Sequence, residues 1–286
     1  MAGQVIAVLN MKGGVGKTTV SAHVIRVLYH QLGKKVLLLD LDPQFNLTQC
    51  LMTRNQYDQI KKENKTILNV MEQPSEIGLF DVAVTTHKPP VPSSLAYVLR
   101  YFRDGSAYLH LIPGNFELVK YSLIDDHQKL EAVKQRFLHF ISLARAEYDL
   151  VVIDCNPSSS FITLCALHAC SNLLVPVRPD KYSILGLELV ADFLDRIPTI
   201  QPKPDITVLL NGIPTKGYDA TIENSLRADS RFGKLVLTST LRQSKLLLAT
   251  SDYTGFATDK PAPYKALLRT EISAIVSELA KRWNIK

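Results

Sequence analysis

The chain has 286 residues, 46% of them hydrophobic and 21% charged, a composition typical of a globular protein with one full α/β core or, at most, two small ones. It contains no apolar run near the ~18 residues of a membrane span and does not begin with a signal peptide, so we expect a cytoplasmic protein without a membrane partner. The formal net charge is +6, and residues 201–286 supply most of it, with 13 Lys and Arg against 8 Asp and Glu, which favours a polyanionic partner.

The chain starts with a strand, a glycine-rich turn and a helix. Residues 5–9 are an apolar run typical of a buried strand, and the turn at residues 10–16 contains three glycines. Glycines allow the backbone N–H groups to point inward, and the helix that follows adds its positive N-terminal end. This combination predicts a phosphate-binding loop, in which Lys17 reaches the β- and γ-phosphates and the Thr18 hydroxyl ligates Mg²⁺.

The second predicted strand ends in two aspartates. Residues 17–32 have one apolar helical face that is closed by Gly33, and the buried strand at residues 36–39 leads into Asp40 and Asp42. A strand, a helix and a strand in close succession predict a right-handed parallel crossover, which brings the two carboxylates to the edge of the sheet that holds the phosphate loop. Both project to the same side if the strand persists. An aspartate at such a position is also a common turn cap.

Residues 52–107 have the weakest pattern in the chain. They begin with a polar and charged stretch at 54–65, followed by a short helix at 66–71. A proline-rich segment at 87–94 predicts an exposed loop. We interpret this region as a polar excursion from the domain.

A third buried strand carries another carboxylate. It is preceded by a strand and turn at 108–114 and by a helix at 125–147, and it covers residues 148–155. Four apolar residues that close on Asp154 have the form of a Walker B strand, whose carboxylate holds Mg²⁺ through water.

The remaining segments alternate between helix and strand. The pattern predicts helices at 160–170, 183–197, 219–228 and 263–283, and strands at 172–177, 206–211 and 235–239. Such alternation predicts an α/β fold with a doubly wound, mostly parallel sheet flanked by helices, as in P-loop NTPases. We expect a single domain over residues 1–286.

The segment K-G-G-V-G-K-T-T resembles the deviant Walker A motif of the ParA/MinD family of ATPases. The ordinary G-x-x-x-x-G-K-[ST] pattern fails because Met11 stands at its first position, and the extra lysine is Lys12. The resemblance runs from residue 4 to about residue 280 and is sparse only across residues 52–107. The resemblance implies ATP and Mg²⁺ as cofactors. The nucleotide contacts that it implies in the loop are Lys12, Gly13, Gly14, Val15, Gly16, Lys17, Thr18 and Thr19.

The resemblance also implies catalytic roles. Lys17 would neutralise phosphate charge in its own subunit, and Lys12 would reach the nucleotide of a partner subunit. The segment D-x-D-P-Q is similar to the family's second motif, in which the later aspartate, here Asp42, orients the attacking water. The magnesium ligands that it implies are Thr18, Asp40 and Asp154.

Four further residues are assigned to ligands, Asn211 from its amide chemistry and the other three by resemblance. Asn211 closes a strand and suits the edge of a purine, although a turn-forming role explains it equally well. Arg242 aligns with a family residue that lies against the base. Lys216 and Lys245 align with positions where the family carries DNA-contacting arginines.

The leading functional hypothesis is a ParA-like ATPase. Such a protein would form an ATP-dependent homodimer, bind double-stranded DNA without sequence preference and associate with the nucleoid. A ParB-like or other cargo-bound protein would stimulate its slow hydrolysis of ATP. The cargo could be a plasmid, a chromosome region or a protein assembly.

Two alternatives come from other classes. A MinD-like membrane-cycling ATPase would end in an amphipathic targeting helix, whereas residues 266–283 have the pattern of the domain's own last helix. The predicted core face of this last helix is formed by Leu267, Ile272, Ile275, Val276 and Leu279. A metal-carrying or electron-transfer ATPase would need paired cysteines, and the four cysteines have no C-x-x-C spacing.

Overall fold

The computed structural model describes residues 2–75, 77–83, 88–248 and 254–285. In these ranges a central sheet runs through the molecule. Its strands are β1 (Gln4–Val8), β2 (Lys35–Asp40), β3 (Tyr97–Tyr101), β4 (Tyr108–Ile112), β5 (Leu150–Asp154), β6 (Asn172–Val177), β7 (Asp205–Ile213) and β8 (Leu241–Arg242). They lie in the order β3-β4-β2-β5-β1-β6-β7-β8. All neighbours are parallel except β3 and β4, which confirms the predicted fold class.

The helices cover both faces of this sheet. They are α1 (Lys17–Val20), α2 (Val27–Leu32), α3 (Asn46–Leu51), α4 (Arg54–Lys62), α5 (Ile67–Met71), α6 (Pro92–Leu95), α7 (His127–Glu147), α8 (Phe161–Ala169), α9 (Lys181–Arg196), α10 (Thr221–Ala228) and α11 (Lys265–Arg282). A π-helical segment, Ser21–Ile25, joins α1 to α2. Short 3₁₀ segments occur at Phe116–Ser122, Gly233–Leu235, Lys245–Leu247 and Ala257–Asp259.

Alternation along the central strands divides the core into two layers. In β1, Val5 and Ala7 pack in the cluster formed with α7, α8 and α9, whereas Ile6 and Val8 pack on the opposite side with the first helix and α11. Successive side chains of a strand point to opposite faces. A parallel sheet covered on both faces therefore needs the continuous apolar runs that the sequence has.

One predicted strand is wrong. Residue 235 ends the 3₁₀ turn Gly233–Leu235, and in residues 236–239 only Val236 bridges to Val208 of β7. The N–H groups of Thr238 and Ser239 donate to the Glu278 carboxylate of α11, at 2.7 and 2.8 Å, in place of a ladder. The Glu278 side chain of α11 therefore ends the pairing of this segment with β7. Pairing with β7 resumes only at β8.

The polar excursion contains more regular structure than the sequence analysis predicted. Helix α4 was missed because Tyr57 and Ile60 are its only buried residues, although its capping box, Thr53 with Gln56, is a recognised start signal. Edge strand β3 was also missed, as was helix α3, which precedes the excursion. Residues 88–91 form a loop before α6, and residue 87 lies outside the described residues.

The last helix agrees with its predicted core face except at one position. Leu268 is buried, whereas Leu267 is 50% exposed. The other four predicted residues of that face are buried. Within the described ranges, no helix is both long enough and apolar enough to cross a bilayer.

Candidate functional site

The C-terminal ends of three central strands meet at one edge of the sheet. Val8 of β1 and Asp40 of β2 each lie opposite Asp154 of β5 in the strand register. The glycine-rich loop leaves β1 at this edge and leads into α1. Crossover topology thus brings residues from distant parts of the chain together, as the sequence predicted.

The loop adopts a conformation that requires glycine. Gly14 and Gly16 have φ angles of +75° and +92°, which disfavour residues with a Cβ. A Cβ at Gly16 would also lie 2.2 Å from Nδ2 of Asn211. That amide donates a 2.7 Å hydrogen bond to the carbonyl of Val15. Asn211 therefore lies beside the loop and holds it from β7.

Lys17 is buried among carboxylates at the start of α1. Its side chain turns back towards the loop, and Nζ donates a 3.4 Å hydrogen bond to the carbonyl of Lys12. Burial lowers the pKa of Lys17, while the charges of Asp154 and Asp42 act against this shift. A desolvated lysine at this position has a strong interaction with a nearby anion because the local dielectric is low.

Two hydroxyl groups hold the Asp154 carboxylate. Thr18 Oγ1 donates to Oδ2 at 2.9 Å, and Ser21 Oγ donates to Oδ1 at 2.7 Å. Burial raises the pKa of Asp154 to about 6, against the effect of these hydrogen bonds. Ser21 was missed in the sequence analysis, although its position one helical turn after Thr18 places both on one helix face.

The hydroxyl of Thr18 and the carboxylate of Asp154 are oxygen ligands of the kind that Mg²⁺ prefers. Among the described residues, no group of three or more His, Cys, Asp or Glu side chains could hold a metal. Magnesium sites commonly use only one or two carboxylates, and substrate phosphates and water complete the shell. The residues present therefore fit a magnesium ion that arrives with a nucleotide.

Asp40 lies at the centre of a buried network. Its Oδ2 accepts hydrogen bonds from the backbone N and Oγ1 of Thr48, at 2.8 and 2.7 Å, and its Oδ1 accepts one from Asp42 N at 3.3 Å. Thr48 Oγ1 in turn accepts from Gly114 N. Burial and then the charge of Asp154 raise the pKa of Asp40 to about 8. These contacts favour an anchoring role for Asp40 over the predicted place in the magnesium shell.

Asp42 begins the turn that follows β2. It is 7% exposed, and its Oδ1 accepts a 2.9 Å hydrogen bond from the backbone N of Gln44. Its charge acts on Lys17. The two aspartates of the D-x-D segment therefore lie close to the phosphate loop, as predicted, but with different surroundings.

Lys12 has an exposed side chain at the start of the loop. Its backbone N donates to Oδ1 of Asn10 at 2.8 Å, and Asn10 Nδ2 donates to the carbonyl of Pro176 at the end of β6. A Cβ at Gly186 of α9 would lie 2.1 Å from Asn10 Oδ1. Asn10, a buried polar residue directly after β1, was missed in the sequence analysis.

Three further predicted residues lie in segments that leave the same edge of the sheet. Arg242 of β8 forms an ion pair with Glu271 of α11, whose carboxylate also accepts the Arg242 backbone N–H at 3.3 Å. Lys216 follows β7, and Lys245 follows β8 in a 3₁₀ turn. Both lysines are exposed. Contact of Arg242 with a base, and of the lysines with DNA, stay predictions.

Comparison with known proteins agrees with this geometry. A family model described as an AAA domain matches residues 3–208. The virulence plasmid ParA family protein pGP5-D of Chlamydia trachomatis is 30% identical over 188 residues, which cover 66% of this chain and 61% of that protein.

Two solved structures have the same fold. A putative plasmid partition protein from Borrelia burgdorferi B31, bound to AMPPNP, is 21% identical with a TM-score of 0.66, covering 99% of this chain and 100% of that one. The ParA of pNOB8, bound to nonspecific DNA, is 20% identical with a TM-score of 0.64, covering 99% and 100%.

The glycine loop at the end of β1 and the carboxylates beside it place the protein in the class of P-loop ATPases. Within this class, the chain belongs to the ParA family of ATPases.

Proposed function

We propose that the protein uses ATP and Mg²⁺ to drive the segregation or positioning of a cargo, with residues 1–286 acting as one ATPase domain. The observation that carries this proposal is the contact of Thr18 with Asp154 beside the buried Lys17. A nucleoside triphosphate is bound by three features that meet here at the end of one strand. They are a cation, a pair of oxygens that can bind a metal, and a loop whose glycines have left-handed backbone angles.

The loop residues 12–19 hold the nucleotide. Backbone N–H groups from Gly13 to Thr19 surround the phosphates, and Lys17 neutralises their charge. Mg²⁺, when bound here, would supply charge neutralisation for phosphoryl transfer. Thr18 and Asp154 hold the metal, and Asn211 keeps the loop in its binding conformation through Val15.

Asp42 orients the water that attacks the terminal phosphate. It lies at the sheet edge near Lys17, and its turn is fixed by hydrogen bonds to Gln44 and Asp40. Asp40 anchors this turn and does not itself contact the attacking water. A positioned acid–base group contributes ~10²–10⁴-fold to a rate.

The nucleotide-bound protein forms a homodimer through the face that carries Lys12. The exposed side chain of Lys12 lies over the Tyr182 ring, 5.6 Å from its centroid, and it is not turned into its own phosphate loop. From this position it reaches the nucleotide of the partner subunit. Dimerisation thereby depends on ATP.

The dimer binds DNA through phosphate contacts. Supporting observations are the excess of basic residues over 201–286 and the exposure of Lys216 and Lys245 in loops at the nucleotide edge of the sheet. The pNOB8 ParA has been solved on nonspecific DNA. Because phosphate contacts carry no sequence information, the dimer binds throughout the nucleoid and so is a cytoplasmic, nucleoid-associated protein.

A ParB-like or other protein on the cargo stimulates hydrolysis and releases the dimer from DNA. A plasmid, a chromosome region and a protein assembly are the cargo classes that this cycle serves. Release of phosphate from ATP by the purified chain, with and without DNA, tests the proposal. Magnesium-dependent turnover that Lys17→Ala abolishes is the expected result, and its absence in the wild-type protein contradicts the proposed activity.

A further inference from the structure

Phe45 has an unusual backbone conformation for an aromatic residue. Its φ and ψ angles are 41° and 43°, in the left-handed region, and it caps the N-terminus of α3. A side chain with a Cβ is disfavoured there, and a bulky one is an outlier. Such residues persist where the surrounding structure over-determines them, and they cluster at functional sites.

Two contacts hold Phe45 in this conformation. Its ring stacks on Tyr57 of α4, with centroids 5.2 Å apart and planes 11° from parallel. A Cβ added to Gly114 would lie 2.5 Å from the Phe45 Cβ. Because Gly114 has no side chain, there is room for Phe45. The Tyr57 ring, which belongs to α4, holds the Phe45 ring in place.

The same residue closes the turn that carries Asp42. The backbone N of Phe45 donates a 2.8 Å hydrogen bond to the Asp42 carbonyl, and its carbonyl accepts a 3.0 Å hydrogen bond from Gln49 N in α3. Gln44 N, one residue earlier, donates to the Asp42 carboxylate. The left-handed residue thus joins the Asp42 turn directly to the helix that follows.

We propose that the Phe45–Tyr57 stack is a positioning device for the Asp42 carboxylate. The stack stabilises a left-handed backbone conformation that Phe45 would otherwise not keep. It thereby holds the Asp42 carboxylate in one orientation. This inference rests on the proposed function, in which Asp42 orients water. Phe45 and Tyr57 are positioning residues, and they give helix α4 in the polar excursion a part in hydrolysis.

Phe45→Gly is the decisive variant. Glycine adopts the left-handed conformation without strain, so the variant is expected to fold while it loses the stack. Displacement of a catalytic group by about 1 Å can cost ~10²-fold in rate. We expect kcat for ATP hydrolysis to fall about ten-fold or more and KM for ATP to change less than about two-fold, since the loop contacts of Lys17 and Asn211 do not involve Phe45.

Variants of Tyr57 separate the ring from the hydroxyl. Tyr57→Leu removes the stack and is expected to lower kcat as Phe45→Gly does, whereas Tyr57→Phe keeps the ring and is expected to recover most of that loss. Combining Tyr57→Leu with Phe45→Gly should add little, because both remove one interaction. Tyr101→Leu, at a 68% exposed aromatic residue of β3, is the matched control.

Hydrogen exchange of the backbone N–H groups in residues 42–46, where Pro43 has none, gives a readout that does not need hydrolysis. Faster exchange there in Phe45→Gly and Tyr57→Leu, without a change over β1 and β5, is expected. Wild-type kcat in Phe45→Gly, or unchanged exchange at 42–46, overturns the proposal. If the wild-type protein itself hydrolyses no ATP, the proposed function fails, and hydrogen exchange alone then decides whether the stack orders the turn.

Discussion

Thr18 and Asp154 are separated by 136 positions in the chain, and Thr18 Oγ1 donates a 2.9 Å hydrogen bond to Asp154 Oδ2. The contact exists because β5 pairs directly with β1, so the end of one strand faces the helix that follows the other. Burial raises the pKa of Asp154 to about 6. A bound divalent cation favours the charged carboxylate and opposes this shift.

We therefore expect Asp154→Asn to weaken magnesium-dependent nucleotide binding. Loss of a residue that supports a metal typically costs ~10–100-fold in affinity. Titration of a fluorescent ATP analogue with and without Mg²⁺ measures the effect, which should appear only with the metal. Asp149→Asn, at an exposed position just before β5, is the control. Equal magnesium dependence in Asp154→Asn and the wild type would contradict the assignment.

The two lysines of the loop are expected to have separable functions. The Lys17 side chain is buried among carboxylates beside the loop of its own subunit, whereas the Lys12 side chain is exposed. Lys17→Ala should lose ATP binding. Lys12→Ala should keep most of it and fail to form the ATP-dependent dimer, because its charge serves the partner's nucleotide.

Nucleotide titration and light scattering with ATP distinguish these outcomes. Lys62→Ala, at an exposed lysine of α4, controls for the loss of one surface charge. Dimers of normal stability in Lys12→Ala would show that the role assigned across the subunit interface is wrong.

Asp42→Ala should separate nucleotide binding from hydrolysis. The side chain holds its own turn through Gln44 N but is not part of the loop, so ATP binding and dimerisation are expected to persist. Loss of a group that positions the attacking water should lower turnover by ~10²–10⁴-fold. Single-turnover phosphate release measures this step. Normal turnover in Asp42→Ala would move the role to Asp40 or to backbone groups.

The carboxyl of Asp40 is expected to make stability depend on pH. Its pKa is raised to about 8 by burial, followed by the charge of Asp154, whereas the unfolded chain releases this proton near its usual pKa of about 4. Between these values the folded state binds more protons than the unfolded state. The free energy of unfolding therefore falls as the pH rises towards 8.

Urea unfolding between pH 6.5 and 8 follows this effect where Asp40 dominates, because the raised pKa of Asp154, about 6, places most of its own decline of the same sign below this range. Burial lowers the pKa values of His23 and His110 to about 4, so these residues contribute a loss of stability below pH 6.5, of opposite sign. Asp40→Asn should flatten the decline above pH 6.5, while Asp125→Asn, at an exposed position, should leave it unchanged. An equal decline in Asp40→Asn would assign the pH dependence to another group.

Features fixed by short-range pattern could be predicted from the sequence. The loop around Lys17 and the strands that end in Asp40 and Asp154 combine apolar runs with polar residues at their ends, and parallel topology then brings these ends together. This reasoning located most of the site. It did not identify Ser21 or Asn10, which act through contacts with residues far away in the chain.

The missed features depend on tertiary contacts or on a hidden pattern. Residues 235–239 have the composition of a strand, but Glu278 of α11 takes the N–H groups that a strand would use. Helix α4 buries only Tyr57 and Ile60, too few for a clear apolar stripe. The left-handed conformation of Phe45 has no local sequence signal, because it is imposed by the Tyr57 ring and the space at Gly114.

DNA binding is expected to depend on Lys216 and Lys245. Both are exposed in loops that leave β7 and β8 at the nucleotide edge of the sheet. Contacts with DNA phosphates release counterions, so affinity should fall steeply with salt and each contact should add ~0.9 to the slope of log affinity against log salt. The sequence of the DNA should matter little.

Fluorescence anisotropy with ATP across a salt series tests this expectation. The double variant Lys216→Ala and Lys245→Ala should bind more weakly and with a flatter slope, while ATP-dependent dimerisation stays intact. The matched control removes Lys34 and Lys203, which precede β2 and β7 and so lie at the opposite edge of the sheet. Because both variants change the net charge equally, a difference between them reports position and not total charge. Equal affinity and slope in the two double variants would place the DNA surface elsewhere on the protein.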